Sequence, residues 1–196
     1  MSQGDTTFVR GLARSMKNVV NGVLNHWRYQ ALLTQQVFPS PAGAILVVCK
    51  GNICRSPLAE AYLKHQMEKS GLPVAVCSAG LETSWGKPAH PLAQEVGMQG
   101  GLSLGKHATQ PLHKKQVERA DMILVMEWRQ RNRLVKLYPK AKGKVFLLRQ
   151  FYDQSVLEVA DPYSGTIEDF QVCFSMIKQA CDVLVKQMLS ASSRRD

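Results

Sequence analysis

The sequence predicts an α/β protein with a doubly wound, four-stranded parallel sheet, preceded by an N-terminal amphipathic helix. Short apolar runs alternate with segments of helical periodicity along residues 44–196. An apolar run, a loop, a helix and a second apolar run open this part of the chain. Because a crossover between parallel strands is nearly always right-handed, this order favours an open sheet whose ligands bind beyond the C-terminal ends of the strands.

The composition divides the chain into two regions. Residues 1–43 form an N-terminal segment that ends in a turn-rich linker, and residues 44–196 form the main domain. A chain of 196 residues can bury one core, so we expect one domain with an appendage. No run approaches the roughly 18 apolar residues of a membrane span, so the main domain is not expected to be embedded in a membrane.

Residues 8–28 have the pattern of a basic amphipathic helix. Three interpretations stand: the helix docks on the main domain or is partly disordered, it contacts a membrane surface or a partner protein, or it is an organelle-targeting peptide. The apolar face holds Phe8, Val9, Leu12, Met16, Val19, Val20, Val23 and Trp27, and the opposite side holds Arg10, Arg14, Lys17 and Arg28.

The elements of the main domain follow in order. The apolar run 44–48 is the first strand, and residues 58–70 form a helix that ends at Gly71, a residue type that often terminates helices. The other elements rest on apolar runs and helical periodicity. The other predicted strands are 74–77, 121–126 and 145–148, and the other predicted helices are 130–138 and 169–189.

The loop between the first strand and the first helix predicts an anion site. Pro57 is tolerated in a first helical turn, and Gly51 permits backbone angles that other residues resist. The backbone amides of such a loop and the positive end of the helix dipole form a cradle for a tetrahedral oxyanion. Cys49 and Arg55 lie at the two ends of this cradle.

These two residues predict nucleophilic chemistry on a phosphoryl group. A helix N-terminus and a neighbouring cation favour the thiolate of a cysteine, so we expect Cys49 to be a nucleophile. The planar guanidinium of Arg55 can bind two phosphoryl oxygens at once, and Ser56 is placed to hydrogen-bond the Cys49 sulfur. The alternative, a buried cysteine beside a surface arginine, does not account for the loop, the helix start and the serine together.

Charge and cysteine content limit the other function classes. The formal charge of +10 suits an anionic substrate or partner, but without a zinc spacing, an RNA-binding aromatic signature or a basic zipper we expect no nucleic acid. The five cysteines form no CxxC pair, and no secretory signal is present, which favours a reducing cytoplasm. No cluster of metal ligands is evident in the sequence, so neither a metal nor a cofactor is expected.

The string from Val48 to Pro57 resembles the loop of the low-molecular-weight protein tyrosine phosphatases, particularly the bacterial branch linked to exopolysaccharide production. The similarity runs from about Ala44 to Leu189. It implies hydrolysis of phosphotyrosine through a cysteinyl-phosphate, with phosphotyrosine proteins, including a bacterial tyrosine kinase, as partners. It also fits a cytoplasmic enzyme that is peripheral at the inner membrane if residues 8–28 bind there. The implied phosphate-binding residues are Lys50, Gly51, Asn52, Ile53, Cys54 and Ser56, together with Arg55.

The resemblance implies roles for residues outside the loop. Asp161, followed by Pro162 and Tyr163, matches the family's general acid, with the proline holding the backbone and the tyrosine forming a cleft wall. Asp153 is the alternative acid. Trp85 either stacks against the substrate ring or packs inward, because the family aromatic usually falls a residue or so earlier.

Two further roles concern the loop itself. His107 matches a family histidine that steadies Asn52. Cys54 is either a small packing residue or a redox partner that forms a reversible disulfide with Cys49.

Two rival functions remain to be weighed. A thiol-coupled arsenate reductase shares the loop, but it needs two further cysteines close together in a mobile segment. Cys77 stands alone, and Cys173 and Cys181 lie on one face of the last predicted helix. A silent phosphotyrosine-binding module would need neither the nucleophile nor the acid, so the sequence favours the phosphatase.

Overall fold

A computed structural model of the chain describes residues 42–152 and 156–193. Its four strands form one sheet in the order β2-β1-β3-β4, and every neighbouring pair is parallel. The predicted four-stranded α/β sheet is therefore confirmed. The predicted N-terminal helix and Asp153 lie outside the described residues. The strands are β1 (Ala44–Cys49), β2 (Ala75–Gly80), β3 (Met122–Val125) and β4 (Val145–Leu147).

The helices differ from the prediction at their bounds. The first helix begins at Arg55 rather than at residue 58, because Pro57 sits inside the first turn, where its missing amide hydrogen has no partner to lose. The sequence analysis missed α2 and α3, which are both short. The helices are α1 (Arg55–Lys69), α2 (Pro91–Gln99), α3 (Lys114–Arg119), α4 (Trp128–Leu137) and α5 (Ile167–Ser192). None of the helices in the described part is long and apolar enough to cross a membrane.

The central strand β1 holds the nucleophile in place. Leu46 and Val47 are fully buried, and β1 pairs with β2 on one edge and β3 on the other. Burying such a side chain contributes about 1.5–3 kcal/mol, so the strand does not shift easily. Helices α1 and α5 pack together, with the rings of Tyr62 and Phe174 edge to face at 6.0 Å between centroids. Cys49, the last residue of β1, therefore ends a rigid element.

Candidate active site

The loop from Cys49 to Arg55 owes its shape to Asn52. Asn52 has a φ of 55°, in the left-handed region that Asn tolerates better than most residues. The prediction had assigned the unusual backbone to Gly51, and this was wrong. A Cβ at Gly51 would lie 3.3 Å from Cγ1 of Ile53, a tight contact that the Ile53 side chain would have to relieve by a small shift. The loop thus curls through a strained asparagine that its surroundings must hold.

Four neighbours hold the buried Asn52. The Nε2 of His107 donates to the Asn52 carbonyl oxygen at 2.8 Å, which also establishes the histidine tautomer. The backbone N–H of Gln110 donates to Oδ1 at 2.9 Å. The Nδ2 group donates to Ser56 Oγ at 2.9 Å and to Ser78 Oγ at 2.8 Å. Every polar group of this side chain is used, so the loop conformation is well determined.

The Cys49 sulfur is buried and has two hydrogen-bond neighbours. The thiol is 2% exposed, and the backbone N–H of Asn52 donates to Sγ at 3.2 Å. Ser56 Oγ lies 3.0 Å from Sγ. The same two groups can stabilise the sulfur when it later departs from a covalent intermediate.

Arg55 is fully buried and aimed across the loop. Its Nη1 donates to Glu127 and, at 3.0 Å, to the carbonyl oxygen of Val159, and its Nη2 donates to Asp161 Oδ2 at 2.6 Å. Burial would lower the pKa of Arg55, but Cys49 and the two carboxylates outweigh burial and raise it. Among the described residues, its buried Nε–H has no hydrogen-bond partner. This N–H is a donor available to a bound anion.

Glu127 is a functional residue that the sequence analysis missed. It lies two residues after the end of β3 and accepts hydrogen bonds from Arg55, from Arg129 and, at 3.0 Å, from Gln130. Burial would raise the pKa of Glu127, but the hydrogen bonds from the two arginines outweigh it and lower the pKa. Its position just beyond the C-terminal end of a central strand was a usable signal, because ligand sites of open sheets lie there.

We expect Glu127→Gln to lower the free energy of unfolding at pH 7 by about 1.5–3 kcal/mol, the range for hydrogen bonds to charged groups. Because the folded pKa of Glu127 lies below the unfolded value of about 4.3, its contribution is present at neutral pH. The contribution disappears as the pH falls through the folded pKa. Urea unfolding at pH 7 and at about pH 3 measures this, with the exposed Glu118→Gln as control. An equal loss at both pH values would contradict it.

The loop forms the floor of a cleft of about 150 Å³. Ile53 and Tyr163 give it apolar walls, and Asp161 and Glu82 lie at its sides. Glu82, which the sequence analysis also missed, is shared by Arg133 and, at 4.0 Å, by Lys50. The loop residues that line the cleft are Cys49, Lys50, Gly51, Ile53, Cys54 and Arg55.

Three residues predicted to bind substrate are not among those that line the cleft. Trp85 is 64% exposed and does not line the cleft; its ring stacks on His113 at 6.4 Å between centroids. Asn52 and Ser56 are fully buried behind the loop. The Asn52 and Ser56 side chains support the loop from behind the cleft.

Tyr163 and Asp161 are held by their surroundings at the mouth of the cleft. The Tyr163 ring packs edge to face on His90 at 5.6 Å, and the backbone N–H of His90 donates to the Ile53 carbonyl oxygen at 2.8 Å. Asp161 Oδ1 accepts from the backbone N–H of Tyr163 at 3.4 Å, with the buried Pro162 between them. The acid therefore lies above the floor and beside the aromatic wall.

The other cysteines do not form a relay. Cys54 is a buried member of the loop itself, and burial and the neighbouring Cys49 raise its pKa to about 12. Cys77 is exposed on β2, whereas Cys173 and Cys181 are buried on α5. Residues 42–152 and 156–193 contain no group of three metal-ligating side chains. The arrangement suits thiolate attack on a phosphoryl group and does not suit disulfide relay.

Comparisons with known proteins agree with this chemistry. Residues 44–194 match the family described as low molecular weight phosphotyrosine protein phosphatase. The probable low molecular weight protein-tyrosine-phosphatase EpsP of Ralstonia nicotianae is 38% identical over 144 residues, which cover 74% of this chain and 94% of EpsP. The protein-arginine-phosphatase of Bacillus subtilis is 33% identical over 144 residues, which cover 74% of this chain and 95% of that protein. The structure of Vibrio vulnificus Wzb in complex with benzylphosphonate matches with a TM-score of 0.69 and 33% identity, covering 74% of this chain and 99% of Wzb.

Proposed function

Since the chain belongs to the low-molecular-weight phosphotyrosine protein phosphatase family, we propose that it hydrolyses phosphotyrosine in proteins through a cysteinyl-phosphate intermediate. The observation that carries the proposal is the loop from Cys49 to Arg55. This loop brings a buried sulfur with two hydrogen-bond neighbours and an unpartnered guanidinium N–H to the floor of one cleft. A dianionic phosphoryl group fits this floor.

In the first step, Cys49 Sγ attacks the phosphorus in line with the tyrosyl oxygen. The S–P bond forms as the P–O bond breaks, and Asp161 gives its proton to the departing phenolate. The amides of residues 50–55 and the guanidinium of Arg55 hold the equatorial oxygens. The phosphoryl group takes the place of Asp161 on Nη2, which leaves the carboxyl group to face the leaving oxygen.

In the second step, water attacks the phosphocysteine. Asp161 now accepts a proton from the water, and the S–P bond breaks to release inorganic phosphate. The departing sulfur receives hydrogen bonds from Ser56 Oγ and the Asn52 backbone amide, which lie 3.0 and 3.2 Å away. Amides and arginine supply the charge stabilisation, so the mechanism requires no metal.

The cleft walls favour a phosphotyrosyl over a phosphoarginyl side chain, although the chain also resembles an arginine phosphatase. Ile53 and Tyr163 offer apolar surface to a flat phenol ring. A guanidinium would need acceptors instead, and Glu82 is already shared by Lys50 and Arg133. Vibrio vulnificus Wzb, which binds benzylphosphonate, accommodates an aromatic ring beside a phosphonate.

The Asp161→Asn variant tests the general acid and the substrate class together. We expect kcat/KM for a phosphotyrosine peptide, which covers the steps up to release of the phenol, to fall by about 10²–10⁴-fold, the usual contribution of general acid catalysis. The fall should be smaller for p-nitrophenyl phosphate, whose leaving group needs no proton. Asp182→Asn, at an exposed site on α5, is the control. Equal losses with both substrates would remove Asp161 from this role, and faster turnover of a phosphoarginine peptide would overturn the tyrosine assignment.

Cys54 is proposed to protect Cys49 from irreversible oxidation. Peroxide converts the Cys49 thiolate to a sulfenic acid, and the Cys54 thiol then displaces hydroxide from that sulfur to form a disulfide, with water as the product. Oxidation removes the negative charge of Cys49, one of the causes that raise the pKa of Cys54.

We expect peroxide-treated wild type to recover its activity with a thiol reductant and to contain a peptide linked through these two cysteines. Cys54→Ser should instead go on to the sulfinic acid and lose activity permanently, whereas Cys77→Ser behaves as wild type. Full recovery of Cys54→Ser would contradict the protective role.

Membership of the family supports a proposal for the partners and the location of the protein. We propose that its partners are phosphotyrosine proteins and, more specifically, a bacterial tyrosine kinase. The proposed location is the cytoplasm. Contact of residues 8–28 with the inner membrane surface stays a prediction, as does the division at residues 43 and 44. Co-sedimentation of the full chain with anionic vesicles tests the contact, and equal binding by an Arg10→Glu, Arg14→Glu variant would remove it.

A further inference from the structure

A chain of hydrogen bonds runs from the Cys49 sulfur to a carboxylate outside the substrate cleft. Ser56 Oγ lies 3.0 Å from Sγ, and Asn52 Nδ2 donates to that hydroxyl at 2.9 Å and to Ser78 Oγ at 2.8 Å. Ser78 Oγ in turn donates to Glu60 Oε2 at 2.5 Å. We propose that Glu60 is a positioning residue for the Cys49 thiolate, a role that rests on the proposed function of Cys49.

The atoms in this chain determine which way the hydrogens point. The Gln110 backbone N–H can only donate, so the Asn52 atom that it meets is Oδ1, and Nδ2 faces the two serines. An ionised carboxylate can only accept, so Glu60 takes the hydrogen of Ser78 and leaves the Ser78 oxygen to accept from Asn52. The Ser56 oxygen also accepts from Asn52. The hydrogen of Ser56 is therefore free to point at the Cys49 sulfur, and it must do so when that sulfur is the thiolate of the proposed function, which can only accept.

Removing Glu60 weakens this arrangement at its far end. Ser78 is 1% exposed, so its hydroxyl hydrogen would lose its acceptor in a place that water does not reach easily. The Ser78 hydrogen could then bond to the Asn52 side chain only if the Asn52 amide flipped, so that its oxygen faced Ser78. The flipped amide would place its NH₂ group against the Gln110 N–H, and two donors would face each other. A charged acceptor also strengthens the hydrogen bonds that follow it in a chain. Asn52 holds the left-handed turn of the loop, so the effect reaches Cys49.

Glu60 makes no contact with the substrate cleft. It projects from α1, and its side chain is 17% exposed and pairs with Lys64 at 2.6 Å. It lines a separate cavity of about 380 Å³ on another side of the loop, together with His107, the donor to the Asn52 carbonyl. Glu68 lines the same cavity from the same helix but is exposed, which makes it a matched control.

The test compares Glu60→Ala, Glu60→Gln, Glu68→Ala and Lys69→Ala in the full chain, with Lys69 an exposed residue at the end of α1. For each protein, kcat and KM with p-nitrophenyl phosphate and the rate of Cys49 alkylation by iodoacetate are measured across pH. We expect Glu60→Ala to lower kcat by about tenfold with little change in KM, and to move the acidic limb of both pH profiles upward by about one unit. Glu60→Gln should be intermediate, because its amide oxygen can still accept from Ser78. The two controls should match wild type.

Unchanged pH profiles in a folded Glu60→Ala protein would overturn the proposal, even if the melting temperature fell, because a purely structural role moves stability alone. If Glu60→Ala does not fold, Glu60→Gln decides, and a wild-type alkylation profile in that variant overturns the proposal. Failure of the proposed function is a different result, since a Cys49→Ser protein that still turned over substrate would remove the nucleophile itself.

Discussion

Replacing Cys49 with serine is expected to reduce kcat for a phosphotyrosine peptide by at least about 10⁵-fold, as for other enzymes that lose their nucleophile. Asn52 and Ser56 hydrogen-bond a sulfur that is buried at the end of the central strand. A serine hydroxyl at this position stays protonated and is a poor leaving group in the second step. Both steps therefore slow, while binding of the phosphoryl group to Arg55 is retained.

The measurement is steady-state turnover of the peptide, with inorganic phosphate tested as a competitive inhibitor. Cys77→Ser, at an exposed position on β2, is the control and should keep wild-type activity. A Cys49→Ser protein that retained a tenth of the wild-type kcat would contradict the account, because no other described cysteine lines the cleft apart from the buried Cys54.

Arg55→Lys is expected to lower kcat by about 10²–10³-fold and to weaken inhibition by phosphate. The guanidinium spans Glu127, Val159 and Asp161 at once and still presents its Nε–H to an anion. An ammonium is a single point charge and cannot reproduce that fork. Because Glu127 loses one of its two arginine donors in a buried place, the free energy of unfolding should also fall, by about 1.5–3 kcal/mol, the range for a hydrogen bond to a charged group.

Stopped assays with the phosphotyrosine peptide and urea unfolding at pH 7 measure the two effects. The exposed Arg119→Lys is the matched control and should change neither quantity. Wild-type phosphate inhibition in Arg55→Lys would show that the anion does not bind at the loop floor.

Much of the fold was predictable from local patterns. The strands were apolar runs, and Pro57 marked the helix start to within one turn, although the true start at Arg55 needed the geometry of the loop. Helices α2 and α3 were not predicted because both are short, and short helices show little helical periodicity in the sequence. Within the site, Cys49 and Arg55 were predictable because both belong to one sequence motif.

The remainder depends on contacts between residues that are distant in sequence. Glu127 pairs with Arg55 and Glu60 with Ser78 across intervals that no local pattern encodes. Asn52 took the left-handed backbone that was expected of Gly51, because its side chain and carbonyl oxygen find four partners only in the folded protein. Trp85 could be placed only by its stacking on His113.

The most direct test of the central claim is to trap the covalent intermediate. Asp161→Asn protein is mixed with p-nitrophenyl phosphate, whose leaving group needs no proton in the first step, quenched in acid within its first turnovers and analysed by mass spectrometry. We expect the peptide that contains Cys49 to gain the mass of one phosphoryl group. The Cys49→Ser, Asp161→Asn double variant is quenched in parallel, and we expect no phosphocysteine in it. Phosphate released at the same rate with no label on Cys49, or label on another residue, would contradict the central claim.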